Sequence, residues 1–303
     1  MKRALIFAHY DKDNIIDDYI IYYLRALKQV AETVIFVSCN NIENPECLTG
    51  LVDKIIDDPH NEYDFGSYKR GFLYLQDKLN DYDELIFAND SCYGPLYPLE
   101  NIFVEMGNKK CDFWGITKNR FGIVKVGDEY KFTKRPHLQS YFLVFKKAVY
   151  NSIIFRDFIS SIKHYDNKNE IILNYEIGLT EILHLNGFSS NSYINSFYEF
   201  SNILIYFWRP LIEYCHMPFL KCSVLRNSIN YTTTIQDWQN VLLKYSNYPI
   251  AIIEKNLSRT QIKPLRKDNN LKFLIKKYFC YFIGIQPKIT KKFFIKLYNE
   301  IML

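Results

Sequence analysis

A short apolar run that stops at three polar residues constrains the fold of this chain more than any other segment. The run, Leu85–Ala88, has the length of a buried strand, and Asn89-Asp90-Ser91 follow it before a turn at Gly94-Pro95. In open α/β sheets, ligands bind in the crevice outside the carboxyl ends of strands. A carboxylate there can hold a divalent cation, and the cation can hold a diphosphate. The segment therefore predicts an α/β enzyme that handles a nucleotide-activated group.

Apolar runs that alternate with helical patterns extend this prediction along the chain. Besides the Leu85 run, strands are predicted at Ala4–Ala8, Thr33–Ser38, Ile55–Ile56, Phe113–Ile116 and Ser140–Phe145. Helices are predicted from Ile16 to Leu27, from Asp64 onward, and from Ile171 to Leu185. This order predicts a mostly parallel sheet with helices on both faces. The polar and basic stretch 119–136 is expected to be a hairpin or a loop.

Cysteine usage and the N-terminus suggest a cytoplasmic protein. The seven cysteines are odd in number and contain no C-x-x-C pair, which favours reduced thiols over a disulfide framework or a zinc site. The apolar part of the N-terminus is too short for a signal peptide. The sequence contains no run of eighteen apolar residues, so no membrane-spanning helix is predicted.

Charge divides the chain into an acidic body and a basic tail. Residues 255–303 hold twelve Lys/Arg and two acids, or 12 − 2 = +10, so the remainder carries 5 − 10 = −5. We predict a catalytic domain at 1–255 and a basic amphipathic helical tail at 256–303. The tail could lie on an anionic membrane surface, where each Lys contributes about 1 kcal/mol, or pack on the body with Lys facing solvent. Nucleic-acid motifs are absent from the sequence, so no nucleic-acid partner is expected.

Each candidate donor-site residue has a structural alternative. Asp90 could contact a metal-bound diphosphate or a ribose, or its triplet could cap the turn into the next helix. His9 and Asp11 follow the first strand, where a base or ribose binds in many nucleotide-binding sheets, but a lone His at a strand end is commonly structural. Asp64 stands among two glycines and two cations, which fits either a phosphate site at a helix N-terminus or a capped helix with a solvated basic face.

The candidates later in the chain are equally two-sided. Glu176, like Glu181 nearby, could be a general base for a sugar hydroxyl, or a helix-terminal acid that opposes the helix dipole. His137 is a candidate phosphate or metal contact. The basic residues of the same region could clamp phosphate or form a solvated cluster; they are Lys118, Arg120, Lys134 and Arg135.

Eight segments, in order, resemble the rhamnan synthesis protein F family of bacterial glycosyltransferases over roughly residues 3–245. They lie at Leu5–Asp11, Asp17–Tyr19, Tyr63–Lys69, Asn89–Leu96, Asp112–Gly115, Gln139–Phe145, Tyr175–Thr180 and Pro218–Lys221. The resemblance implies a GT-A-like, Rossmann-like fold: a mixed sheet flanked by helices that binds a nucleotide sugar. It also implies transfer of L-rhamnose from dTDP-rhamnose to a lipid-linked surface polysaccharide.

By the same resemblance, Asp90 falls near the acidic metal motif, Asp64 in the nucleotide-binding region, and Glu176 where inverting members carry their base. The usual metal motif has two carboxylates around one residue, whereas Asn89-Asp90-Ser91 offers one. Two ways of neutralising the leaving group therefore stay open: a bound Mg²⁺ or Mn²⁺, or the cationic side chains near Arg120.

The predicted mechanism is inverting. His9, Asp11, Asp64 and Asp90 bind the nucleoside diphosphate, and Glu176 deprotonates the acceptor hydroxyl. Two alternatives remain open: a UDP-hexose donor, or a non-catalytic nucleotide-sugar-binding or scaffold protein of a polysaccharide assembly complex. The expected location is the cytoplasm, peripheral on the inner face of the plasma membrane.

Overall fold

The computed structural model describes residues 1–194, 203–226 and 235–260. The chain divides into two compact units, Met1–Asp90 with Pro98–Tyr193, and Ser91–Tyr97 with Ile194–Leu303. The predicted domain boundary between residues 255 and 256 falls inside a helix of the second unit. Most of the predicted tail, residues 261–303, lies outside the described residues.

A mixed sheet is the frame of the first unit. The strands among the described residues are β1 (Arg3–His9), β2 (Thr33–Ser38), β3 (Lys54–Ile56), β4 (Glu84–Asn89), β5 (Cys92–Tyr93), β6 (Phe113–Val126), β7 (Glu129–Leu138), β8 (Phe142–Lys146), β9 (Ser190–Ile194) and β10 (Leu220–Lys221). The sheet order is β3-β2-β1-β4-β8-β6-β7, and β9 also pairs with β6. The α/β fold class, with a mixed sheet flanked by helices, is confirmed.

The sheet has a parallel half and an antiparallel half. Strands β3, β2, β1 and β4 run parallel, whereas β8, β6 and β7 pair antiparallel. The expectation of a mostly parallel sheet was therefore wrong. Stretch 119–136 is a hairpin whose exposed tip carries charged side chains, so it lacks the continuous apolar run of a strand buried on both faces.

Helices cover both faces of this sheet, as predicted. In the part of the chain that the structure describes, the α-helices are α1 (Asp18–Lys28), α2 (Tyr63–Leu75), α3 (Leu99–Gly107), α4 (Lys147–Tyr150), α5 (Ile153–Ser160), α6 (Lys168–Ile171), α7 (Gly178–Leu185), α8 (Ile203–Tyr206), α9 (Trp208–Cys215), α10 (Cys222–Arg226), α11 (Trp238–Tyr245) and α12 (Ile250–Thr260). On one face, Phe7 meets Tyr23 of α1 edge-on at 5.5 Å between ring centroids. On the other, Phe87 stacks on Tyr68 of α2 at 4.4 Å.

Helix α2 lies unusually close to β1 because it has a glycine at the contact. A Cβ on Gly71 would stand 2.4 Å from Ile6 Cγ2, well inside van der Waals contact. The close approach holds the second half of α2 against the middle of β1.

The second unit brings two of the sequence segments together. Strands β5 and β10 pair antiparallel, and Leu96 N donates to the Pro218 carbonyl at 2.7 Å. The buried Tyr93 hydroxyl donates to Asn256 Oδ1 at 2.6 Å, and Arg226 also donates to that oxygen. Among the described residues, no helix is long and apolar enough to cross a membrane.

Candidate functional site

The carboxyl ends of β1 and β4 place Asp90 beside the first loop of the chain. The two strands are in parallel register, with Ala8 opposite Asn89. Asp90 Oδ2 accepts a hydrogen bond from Tyr10 N at 2.7 Å, and the Asp90 carbonyl accepts one from the Tyr19 hydroxyl at 3.0 Å. The triplet therefore ties two strand ends together, and it does not cap the next helix, which begins only at Leu99.

Asp64 joins the same corner through Asn89. Asp64 lies in the first turn of α2, and its Oδ2 accepts a hydrogen bond from Asn89 Nδ2 at 2.7 Å. The preceding residue, Tyr63, has φ = 56°, a backbone region that is an outlier for a bulky side chain. We call Asp64, Asn89 and Asp90 the donor corner.

The carboxylates of the donor corner help to raise the pKa values of two buried groups. Burial, followed by the nearby carboxylate of Asp64, raises the pKa of the Tyr68 hydroxyl well above its usual value, and Asp90 adds to the shift. Burial also raises the pKa of Cys39 to about 12, with Asp64 and Asp90 again contributing. Two carboxylates that act on the same groups form a local concentration of negative charge, which suits a cation or a ribose more than a bare phosphate.

The glycines and cations around Asp64 serve the protein interior. A Cβ on Gly66 would stand 2.6 Å from Glu62 Cβ, so this glycine admits the preceding loop. Lys69 Nζ donates to the Ile162 carbonyl at 2.8 Å, and Arg70 pairs with Glu62 at 3.1 Å. Internal packing therefore uses these glycines and cations, and the approach of a nucleotide to this segment stays a prediction.

His9 and Asp11 occupy the predicted edge but already have internal roles. His9 is 1% exposed, and its Nδ1 lies 3.1 Å from Ser38 Oγ. Asp11 Oδ1 accepts hydrogen bonds from Asp13 N at 2.9 Å and Ile15 N at 3.3 Å, which closes the loop after β1. Contact of either residue with a donor stays a prediction.

Glu176 lies in a π-helical segment, Ile172–Ile177, between α6 and α7. Such segments are rare and recur at functional sites. Glu176 Oε2 accepts a hydrogen bond from Ser140 Oγ at 3.2 Å, and Oε1 stands 3.6 Å from His137 Nε2. The helix predicted from Ile171 to Leu185 is confirmed, and the structural alternative of a helix-terminal acid does not fit a mid-helix position.

Tyr68 links this second group to the donor corner. Its buried hydroxyl donates to the Ser140 carbonyl at 3.0 Å and is also hydrogen-bonded to the Asn89 side chain. The path Asp64–Asn89–Tyr68–Ser140–Glu176 therefore runs from the predicted donor site to the predicted base. Sequence reasoning gave no role to Tyr10, Tyr68 or Ser140, although all three stand inside segments that carry the family resemblance.

The remaining candidates are dispersed. Arg120 is half-buried at a register shift in β6, and Ser91 belongs to the second unit, where its carbonyl accepts a hydrogen bond from Cys222 N. Arg135 forms a two-point ion pair with Glu181, which occupies both carboxylate oxygens. Burial lowers the pKa of Lys118. Contact of Arg120 and Ser91 with a donor stays a prediction.

The donor set for a divalent cation is small. Within ranges 1–194, 203–226 and 235–260, no group of three or more His, Cys, Asp or Glu side chains is arranged to hold a metal ion. Two carboxylates, Asp64 and Asp90, lie at the corner. Mg²⁺ commonly takes one or two carboxylates and completes its shell with substrate phosphate oxygens and water, so these residues fit an ion that arrives with a diphosphate.

A known protein family matches most of the chain. The model of a family described as "Rhamnan synthesis protein F" matches residues 34–292. The match extends beyond residue 245, where the resemblance was expected to end, and reaches into the basic tail. It begins after the first two resembling segments, so Leu5–Asp11 and Asp17–Tyr19 stand outside it.

A curated relative matches about half of the chain at moderate sequence identity. The chain is similar to the uncharacterized protein y4gN of Sinorhizobium fredii (strain NBRC 101917 / NGR234), with 30% identity over 167 residues, 53% of this chain and 40% of that protein. The chain thus spans less than half the length of this curated relative.

Solved structures are similar at a low level. A cytidylyltransferase from Leptospira borgpetersenii serovar Hardjo-bovis shares 12% identity and a TM-score of 0.40, covering 88% of this chain and 99% of that one. Core-mannan synthase A from Aspergillus fumigatus, in an Mn/GDP form, shares 9% identity and a TM-score of 0.34, covering 60% and 69%.

Proposed function

Since the chain belongs to the rhamnan synthesis protein F family, whose members resemble bacterial polysaccharide glycosyltransferases, we propose that it transfers a sugar from a nucleotide donor to a growing glycan. The family name favours L-rhamnose from dTDP-rhamnose as the donor and a lipid-linked surface polysaccharide as the acceptor. One observation carries the proposal: a hydrogen-bonded path joins the donor corner to Glu176 within one compact unit.

The donor corner would grip the pyrophosphate side of the donor. Asp64 and Asp90 would hold a divalent cation, with Asn89 fixing the Asp64 carboxylate through its side-chain amide. When bound, such a cation would neutralise charge on the departing diphosphate. Tyr10 is 58% exposed, and its backbone N–H is bonded to Asp90, so its ring is available beside the corner to stack on a base or sugar.

Glu176 would be the general base. In this step its carboxylate takes the proton of the acceptor hydroxyl, and the hydroxyl oxygen forms a bond to the anomeric carbon. The bond from that carbon to the diphosphate oxygen breaks, and the nucleoside diphosphate leaves. Attack opposite the leaving group inverts the anomeric configuration. Glu181 cannot share this role while both its oxygens are paired with Arg135.

Turnover of dTDP-rhamnose tests the proposal. Release of dTDP would be measured with a rhamnose oligosaccharide acceptor for the wild type, Glu176→Gln and Glu181→Gln. We expect Glu176→Gln to lose turnover by 100-fold or more, which is within the range of general-base contributions, and Glu181→Gln to keep it. Undiminished turnover of Glu176→Gln would exclude this residue as the base. Turnover of UDP-hexoses alone would change the donor, and no turnover with intact binding would favour a scaffold protein.

We further propose that the basic tail docks the enzyme on the anionic inner face of the membrane, close to its acceptor. The charge of +10 over residues 255–303 supports this. Flotation with phosphatidylglycerol vesicles should retain the full chain and lose a chain that ends after Thr260. The truncation must keep Asn256, which is 1% exposed and bonded to Tyr93. Equal flotation of both chains would contradict membrane docking by the tail.

A further inference from the structure

The Glu176 carboxylate has a neighbour at each oxygen. Ser140 Oγ donates to Oε2 at 3.2 Å, and His137 Nε2 stands 3.6 Å from Oε1, beyond a normal hydrogen bond but within ion-pair range. The two neighbours come from the end of β7 and the turn before β8, whereas Glu176 comes from the π-helical segment. The carboxylate is therefore contacted at both oxygens by the connection between β7 and β8.

His137 can present only one nitrogen to Glu176. Its Nδ1 lies 2.8 Å from the Arg135 carbonyl oxygen. A carbonyl oxygen accepts and never donates, so Nδ1 carries a hydrogen and Nε2 faces the carboxylate. The His137 side chain is 3% exposed, against 22% for Glu176, so the ring is enclosed while the carboxylate retains an open side.

We propose that His137, with Ser140, is a positioning residue that holds the Glu176 carboxylate toward the acceptor hydroxyl. The proposal rests on the proposed function, because it presumes Glu176 as base. Ser140 Oγ donates to one carboxylate oxygen, and His137 Nε2 faces the other at 3.6 Å, so the two side chains flank the carboxylate. An ordered general base contributes because a misplacement of about 1 Å costs on the order of 100-fold in rate.

Two substitutions separate this role from a local structural one. Gln places its amide nitrogen near the position of His Nε2, so His137→Gln can keep a nitrogen toward Glu176 and loses the bond to Arg135. Asn places its amide near Nδ1, so His137→Asn keeps the bond to the Arg135 carbonyl and loses the contact with Glu176. The pair therefore exchanges one contact for the other at one site.

The measurements are kcat and KM with dTDP-rhamnose, donor affinity by calorimetry, and the thermal midpoint of unfolding. We expect His137→Asn to lower kcat roughly 10- to 100-fold with donor affinity unchanged, and His137→Gln to recover most of the loss. Ser140→Ala should lower kcat in the same way, and Ser140→Thr should recover it. Equal kcat for the two His137 variants, or a better His137→Asn, would overturn the assignment.

If both His137 variants unfold, Ser140→Ala still decides the test. Ser140 is half-buried, and the substitution removes only its hydroxyl and leaves His137 unchanged. Full kcat for Ser140→Ala in that case would overturn the proposal.

The double variant His137→Asn/Glu176→Gln tests whether His137 acts through Glu176. If His137 acts through Glu176, it should be no slower than Glu176→Gln alone. A further loss would show that His137 acts elsewhere. Normal turnover of Glu176→Gln would refute the proposed base itself, whereas an inactive Glu176→Gln beside a fully active His137→Asn would refute only the positioning role.

Discussion

The parallel and antiparallel halves of the sheet contribute different chemistry. The parallel half ends at the donor corner, where two carboxylates act on the same buried groups. The antiparallel half supplies His137 and Ser140, which hold one carboxylate from a helix between them. One of the two carboxylates at the donor corner, Asp90, follows the carboxyl end of β4, and the other, Asp64, comes from the first turn of α2. In this protein the antiparallel strands provide hydrogen bonds that fix a geometry.

The halves also differ in how their residues are enclosed. In the parallel half, helix α2 packs so closely on β1 that only a glycine fits at position 71 without displacing Ile6. The hairpin of the antiparallel half is exposed at its tip, where Val126 is 50% exposed. We therefore expect the parallel half to be sensitive to added volume and charge, and the antiparallel half to depend on individual polar contacts near Glu176.

The largest effect that would sharpen this contrast is expected for Asp64→Asn. The substitution removes one of the two negative charges at the donor corner, and with it a proposed ligand for a cation. We expect kcat/KM for the donor to fall on the order of 100-fold, measured by dTDP release. Asp77→Asn, at an exposed position after α2, is the matched control. Equal kinetics for the two variants would remove Asp64 from the donor site.

Gly71→Ala tests the close packing of the parallel half. The added Cβ would meet Ile6 Cγ2 at 2.4 Å, and overpacking of this kind costs about 1–3 kcal/mol in the free energy of unfolding, measurable by urea titration. Gly107→Ala is the control, because a Cβ there has no neighbour within 4 Å. Equal stability of the two variants would show that α2 can move away from β1 without cost.

His60 tests the pH response beneath the start of α2. Burial, followed by the charge of Arg70, lowers the pKa of His60 from 6.5 to about 4, against the opposing effect of Glu62. The unfolded chain therefore binds the proton more readily, so the free energy of unfolding falls as the pH drops from about 6.5 toward 4. The slope should exceed that of His60→Gln by up to about 1.4 kcal/mol per pH unit. Parallel profiles for the two proteins would contradict the lowered pKa.

The smallest effect is expected for Glu181→Gln in the antiparallel half. Its ion pair with Arg135 is partly exposed, with 34% and 20% of the two side chains accessible. Such pairs contribute up to about 1 kcal/mol, so unfolding should change by less than this amount. A large fall in stability would show that the hairpin depends on charge as much as on the contacts of Glu176.

Much of the parallel half could be predicted from sequence. Strand β2 spans Thr33–Ser38 as predicted, and β1 and β4 lie on the predicted apolar runs, because strands buried on both faces leave an unbroken apolar signal. The two-residue strands β5 and β10 carry no such signal. Helix α3 was also missed, although Leu99, Ile102 and Met106 recur at helical spacing.

The site was predicted as a set of residues but not as an arrangement. Asp64, Asp90 and Glu176 were chosen by residue type, by position and by the family resemblance. The hydrogen bonds that join them span large separations, with Asn89 25 residues from Asp64 and Ser140 36 residues from Glu176. Local patterns do not specify such contacts, because they arise only when strand order and helix packing are fixed.

Calorimetric titration of dTDP-rhamnose, with Mg²⁺ present, into Asp90→Asn and Glu176→Gln tests the division between donor corner and base most directly. We predict that Glu176→Gln binds the donor as tightly as the wild type does, while Asp90→Asn binds at least ten times more weakly. Unchanged donor affinity in Asp90→Asn, or a comparable loss of affinity in both variants, would contradict the assignment of donor binding to the parallel edge of the sheet.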